Sequence, residues 1–203
     1  MSRIVDRTAG WLGIAFLLTL LGSEAALSLP DQDASAESVV AFYAEHGTAV
    51  IVLQIVGFVA ALAFGLFAWR LRRVHSAIAV CGLAVAVAAA LPGAITVLLA
   101  LTTNPAAAQR YNELEPRGDD VLFVAIAVFA VATALALGRR MVPFAAFCGA
   151  VAGAATYRLL REAFGYRVAV EESVPPLLFL VLVIVLVVLC FRGFPAAKPI
   201  PTS

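Results

Sequence analysis

Apolar residues fall in six long runs separated by polar stretches, and within a run no face of the chain is polar. The runs cover residues 9–29, 48–69, 76–101, 121–138, 141–160 and 174–191. A helix rising 1.5 Å per residue needs about 20 apolar residues to cross roughly 30 Å of hydrocarbon, so each run has about the length of a membrane span. Val181 to Cys190 is apolar throughout, which excludes the two-residue alternation of a barrel strand. Backbone groups in lipid must be satisfied inside their own segment, which makes the runs helices. The predicted fold class is all-α. Residues 1–203 form a single integral membrane domain, a six-helix transmembrane bundle with short helices on the extracytoplasmic face.

Two of the polar stretches carry those short helices. In 33–46, Asp33 is placed to cap, Ala36, Val39, Val40 and Tyr43 share one face, and Gly47 follows as a stop. In 104–115, Asn104-Pro105 opens the segment, and Pro116 with Gly118 closes it. The fifth run is expected to continue past Leu160 to Gly165, with Arg158 and Glu162 on one face. Ser173 precedes Pro175-Pro176 at the start of the last span. Residues 194–203, with Pro195, Pro199 and Pro201, read as a short disordered cytoplasmic tail.

Composition agrees with the pattern: 63% of the 203 residues are hydrophobic and 13% charged, more apolar surface than a soluble domain of this length could bury. The net charge of +1 conceals a strong asymmetry. Arg3, Arg7, Arg70, Arg72, Arg73, Arg139, Arg140, Arg192 and Lys198 fall on one side of the implied membrane with Asp6 as the sole acid. The other side holds five arginines and twelve acids, counting Glu24. Basic loops stay in the cytoplasm, which predicts a multi-pass protein of the cell membrane with both termini inside. The Arg clusters are short and flank spans, so nucleic acid is not an indicated partner. Lys198 is the lone lysine, and the Arg, Ala and Val bias suggests a GC-rich bacterial genome and its inner membrane. An alternative concerns the first run: its basic start and Ser23-Glu24-Ala25 fit a cleaved signal peptide, which would leave five spans. Apolar character resuming from Ala25 to Leu29 favours an uncleaved helix.

Candidate chemistry is sparse. Glu24 is the one carboxylate inside a run, and an ionisable group in hydrocarbon is costly unless paired or hydrated. Gln54 lies at similar depth in the next span, Thr96 in the third, and Arg158 at the outer boundary of the fifth. These four could form an outer-leaflet ligand-binding pocket, or Glu24 could bond Gln54 merely to lock two helices. Pro92 inside the third run marks either a broken helix at a binding site or an ordinary kink. Cys81, Cys148 and Cys190 show no CxxC spacing and read as small buried hydrophobes, so no metal is called for. His46 and His75 lie on opposite sides of the bilayer and read as surface residues. No HExxH, GxSxG or phosphate-binding glycine loop is present, no catalytic residue stands out, and no cofactor is implied. Small residues line helix faces at Gly57, Ala61 and Gly65, at Gly82, Ala86, Ala90 and Ala94, and at Gly149 and Gly153, a pattern that supports helix packing. Trp11 and Trp69 read as interfacial anchors.

The opening Thr8-Ala9-Gly10-Trp11-Leu12-Gly13 and the stretch from Asp31 through Ser38-Val39-Val40-Ala41-Phe42-Tyr43-Ala44-Glu45-His46 to Arg70-Leu71-Arg72-Arg73 carry a resemblance. Over residues 8–73 the chain resembles uncharacterised multi-pass membrane proteins of high-GC bacteria, of the domain-of-unknown-function type. The resemblance implies a six-helix membrane fold and assigns no functional residues. The leading functional expectation is a non-enzymatic scaffold or accessory subunit. Its partners are the lipid bilayer and a membrane protein met through the outer segments or the small-residue faces. The alternative is a small-solute or proton-coupled transporter using the pocket around Glu24.

Overall fold

The structure is a computed structural model that describes residues 4–24, 30, 34–138, 141–164 and 173–194, with only the backbone for 23–24 and 161–164. Among the described residues there are six α-helices and no strand: α1 (Arg7–Glu24), α2 (Ala36–Arg70), α3 (Ser76–Leu101), α4 (Pro105–Leu137), α5 (Val142–Phe164) and α6 (Val174–Arg192). Five of them, α2 to α6, are long and apolar enough to cross a membrane. The described part of α1 has 18 residues, about 27 Å of helix, slightly under that length. Residues 25–29, the remainder of the run 9–29 expected from sequence, lie outside the described set.

Consecutive helices pack side by side, and α6 closes the bundle by meeting both α1 and α5, while α2 also reaches α4. The centre is aromatic. Phe64 of α2 lies 5.0 Å from Phe16 of α1, 5.8 Å from Phe129 of α4 and 5.6 Å from Phe179 of α6, measured between ring centroids. None of these four rings is more than 6% exposed. Tilted and edge-on ring pairs add about 0.5–1.5 kcal/mol each beyond area burial. The outer faces are apolar too: Leu62, Val80, Val87 and Leu135 are all more than 60% exposed. An apolar surface of that extent needs lipid as its solvent.

Lipid tails are as apolar as the side chains, so helix association relies on close van der Waals fit. Gly82 of α3 provides it against α2 and α4: a Cβ there would lie 2.5 Å from Ala68 Cβ and 3.1 Å from the Phe129 ring. Gly65 faces Ala86 on the same seam. Gly13 of α1 sits against Val187 of α6 and Phe67 of α2, a close approach that any side chain would block. By contrast Gly57 meets little beyond the Gln54 side chain of its own helix, and Gly149 and Gly153 have nothing within 4 Å.

Helix boundaries depart from the sequence reading where polar segments adjoin apolar ones. The segments expected to form separate short helices are helical, but each runs without interruption into the following span. Their placement as separate surface helices is therefore corrected. Gly47 does not stop α2: an internal glycine costs only about 1 kcal/mol, and this one is buried where the Ala100 carbonyl approaches. Likewise Pro116 and Gly118 lie within α4, and Gly118 packs on Pro92 of α3. The cap of α2 is Ser35, whose Oγ accepts from the Ser38 N–H at 3.3 Å; Asp33 lies outside the described residues. Asn104 caps α4 as expected, accepting from the Ala106 N–H at 2.9 Å. With 35 and 33 residues, α2 and α4 are about 50 Å long, well beyond a bilayer's hydrocarbon thickness. Their additional turns pack together at the end opposite the termini, where Val39, Tyr43 and Val50 of α2 join Leu99 and Ala108 in a second, smaller core.

Both described ends of the chain meet at one end of the bundle. Ile4 and Phe194 exchange backbone hydrogen bonds of 3.3 and 3.0 Å, and the Asp6 N–H donates to the Cys190 carbonyl at 3.0 Å. Gly193, with φ 87°, makes the left-handed turn that brings Phe194 back after α6. Phe194 is 1% exposed, so it belongs to the core and not to the tail expected over 194–203. Residues 195–203 lie outside the described set.

Candidate functional site

Of the four residues proposed from sequence to share a pocket, Glu24 ends α1 and its side chain lies outside the described set. Gln54 directs its Oε1 toward Gly93, 2.8 Å from where a Cβ there would lie. Thr96 is buried, and its hydroxyl donates to the Pro92 carbonyl at 2.9 Å, so its polarity is consumed within α3. Arg158 meets different partners: its Nη2 lies 3.3 Å from Asp119 Oδ2, and its guanidinium stacks 4.1 Å above the Phe123 ring. Pro92 and Gly118 in contact link the two halves of this region, yet Gln54, Thr96 and Arg158 share no hydrogen bond with one another among the described residues.

The polar groups that do gather lie at the end opposite the termini, on the first half of α4 before its apolar stretch 121–137. Asn112, Glu115 and Asp119 recur at helical spacing on one face, with Tyr43 of α2 electrostatically coupled to Glu115 and Arg158 of α5 to both acids. Burial disfavours the charge on Glu115, and Asp119 repels it further, so its carboxyl titrates above the usual range despite Arg158. Burial also raises Asp119, with Asp120 adding to it; the ion pair with Arg158 offsets this only in part. Burial and the Glu115 charge push the Tyr43 phenol up to about 12. Asp120 Oδ1 and the Tyr157 hydroxyl are buried without a hydrogen-bond partner among the described residues.

A second polar centre, which the sequence reading missed, ties the termini together. Asp6 accepts two hydrogen bonds from Arg70, from Nε at 3.2 Å and Nη2 at 3.0 Å, and Arg73 Nη1 lies 3.4 Å away. The same carboxylate caps α1 through the Ala9 N–H at 3.0 Å. Burial opposes its charge, but Arg70, the Ala9 N–H and Arg73 together hold its carboxyl below the usual range. The signal was available: Asp6 is the sole acid among nine basic residues on that side.

The remaining candidates have structural roles. His75 caps α3, its Nδ1 accepting from the Ala77 N–H at 3.2 Å. His46 packs at a tilt against Phe42, with ring centroids 4.8 Å apart. Cys81, Cys148 and Cys190 are free thiols, and among the described residues no three His, Cys, Asp or Glu side chains gather around a metal-sized site. Compared with known protein families, curated proteins and solved structures, the chain shows no significant match.

Proposed function

We propose that this chain is a non-enzymatic scaffold or accessory subunit of a bacterial inner membrane, with both termini in the cytoplasm. The observation that carries this reading is the packed aromatic centre: Phe16, Phe64, Phe129 and Phe179 fill the axis where a solute path would run. Two surfaces remain for a protein partner. One is the projecting end of α2 and α4, where Glu37, Glu45, Arg110 and Glu113 are exposed. The other is the open face of α5, where Gly149 and Gly153 would let a second helix approach closely.

Site-specific photo-crosslinking in cells tests it. Probes at Glu45, Glu113 and Ala150 should give a discrete adduct with one protein, and a probe at the lipid-facing Leu135 should not. If all four positions behave alike, the scaffold reading fails.

A second reading is supported by Glu115 and Asp119, both inclined to hold a proton next to the Pro92–Gly118 contact. A proton-coupled transporter would use them as its proton sites. Proteoliposomes with an internal pH dye would then acidify under an imposed gradient, and Glu115→Gln would abolish the signal. No flux above that of empty vesicles removes this alternative.

A further inference from the structure

A shallow apolar groove of about 600 Å³ runs along the outside of the α2–α3 seam, lined among others by Phe58, Leu62, Gly65 and Trp69 of α2 and Val87 and Ala90 of α3. Its floor is the small-residue contact between Gly65 and Ala86, and its walls are side chains that face lipid. From Trp69 to Phe58 it covers twelve residues, eleven steps of helix rise or about 16 Å. That is close to half of a roughly 30 Å hydrocarbon core, the depth that one leaflet offers a single acyl chain.

The mouth of the groove is not apolar. Trp69 is 44% exposed there, and the Arg72 guanidinium lies 4.1 Å above its ring. Arg70 and Arg73 of the same turn are committed to Asp6. Arg72 is exposed and has no carboxylate partner among the described residues. A positive charge held at headgroup level above a leaflet-deep apolar slot is complementary to a lipid with an anionic head.

We infer that the α2–α3 groove is a binding site for an anionic phospholipid, with its phosphate at Arg72 and one acyl chain along Trp69, Leu62 and Phe58. Charge complementarity selects this occupant over a second copy of the chain, because that contact would leave Arg72 unneutralised. Zwitterionic lipid fits the slot equally well but gains less at its mouth.

The chain has two tryptophans, so Trp11→Phe leaves Trp69 as the sole tryptophan, which excitation at the red edge of its band reads apart from the tyrosines. The full-length protein in phosphatidylcholine vesicles is titrated with phosphatidylglycerol brominated near the top of its chains, or with equally brominated phosphatidylcholine. One basic group at an anionic headgroup corresponds to about a fivefold preference, so the anionic lipid should reach half-maximal quenching at roughly one-fifth of the mole fraction. Arg72→Gln, at an exposed site, should bring the two curves together. Ala90→Phe, which fills the deep end of the slot, should shift both to higher mole fraction. Equal curves in the parent, or a preference unchanged in Arg72→Gln, would overturn the assignment. So would a Trp69 shielded from both lipids in a cross-linkable dimer, which would make the groove a self-contact.

Discussion

Asp6 and Arg70, 64 positions apart, are joined by a two-pronged hydrogen bond of 3.0 and 3.2 Å that fastens the start of α1 to the end of α2. The Asp6 side chain is 6% exposed while Arg70 is 32% exposed, so the carboxylate is enclosed and the arginine reaches in from the rim. The Asp6 backbone binds Cys190 as well, which brings α6 into the same knot. One acid thereby neutralises part of the basic end and closes the bundle between its first and last helices.

Asp6→Asn keeps an oxygen to cap α1 but loses the charge. A hydrogen bond to a charged group contributes about 1.5–3 kcal/mol, and solvent screening of Arg73, 57% exposed, favours the low end. The substitution should lower the melting temperature in detergent, and Asp6→Ala, which also removes the cap, should lower it further. The folded carboxyl titrates below its ordinary value, so its stabilisation is complete above roughly pH 4 and lost as the pH falls through the lowered value. Asp6→Asn should remove that part of the acid sensitivity. A variant with the parent's melting temperature at pH 7 would show that the knot contributes nothing.

Glu115 has the opposite sign. Its folded pKa is raised, so the folded protein takes up a proton more readily than the unfolded chain. Stability from this group is complete below the ordinary carboxylate pKa and declines as the pH rises through the raised value. Glu115→Gln should therefore stabilise the protein at pH 7 to 8, modestly because Arg158 offsets part of the cost of the buried charge, and should flatten the decline. Melting curves between pH 4 and 8 check this, and a destabilised Glu115→Gln at pH 8 would contradict it.

The charge asymmetry predicts a membrane orientation that is testable at the helix ends. Reporter fusions after residues 73 and 140 should report the cytoplasm, and one after Thr103, between α3 and α4, should report the outside. Signals of the same kind at 73 and 103 would discard the arrangement.

The spans were legible because lipid leaves a plain signature. The range of α3, 76–101, was read from hydropathy alone, and α6 differs by one residue. The far ends of α2 and α4 were misjudged for a physical reason. Gly47 and Gly118 weaken an isolated helix, but here the Ala100 carbonyl approaches Gly47 and Gly118 packs on Pro92, so tertiary packing overrides local preference. The sequence reading puts Arg158 at the outer boundary of the fifth run, with Glu24, Gln54 and Thr96 as its company, and α5 continues past it to Phe164. Its partners Asp119 and Phe123 come from α4, and nothing in one chain's pattern reveals which face of α4 turns toward α5.

The small-residue faces give the clearest contrast between equal sequence signals and unequal consequences. Gly82 and Gly149 both sit in alanine-rich helices at four-residue spacing from another small residue, and neither was separable from the other by pattern. In the folded bundle a Cβ at Gly82 would lie 2.5 Å from Ala68 Cβ, while one at Gly149 would meet nothing within 4 Å. Gly82→Ala forces α2 and α3 apart and should cost about 1–3 kcal/mol, the usual range for an overfilled core. Gly149→Ala meets no neighbour in the single chain and gains up to about 1 kcal/mol of helix propensity, so it should leave the monomer's melting temperature unchanged or raise it. Measured in detergent that keeps the protein monomeric, the two variants should move in opposite directions. If Gly149→Ala is the more harmful substitution there, the outward orientation of that α5 face is wrong. If it is harmless in detergent but lowers cross-linking from Ala150 in cells, the face is where the partner helix sits.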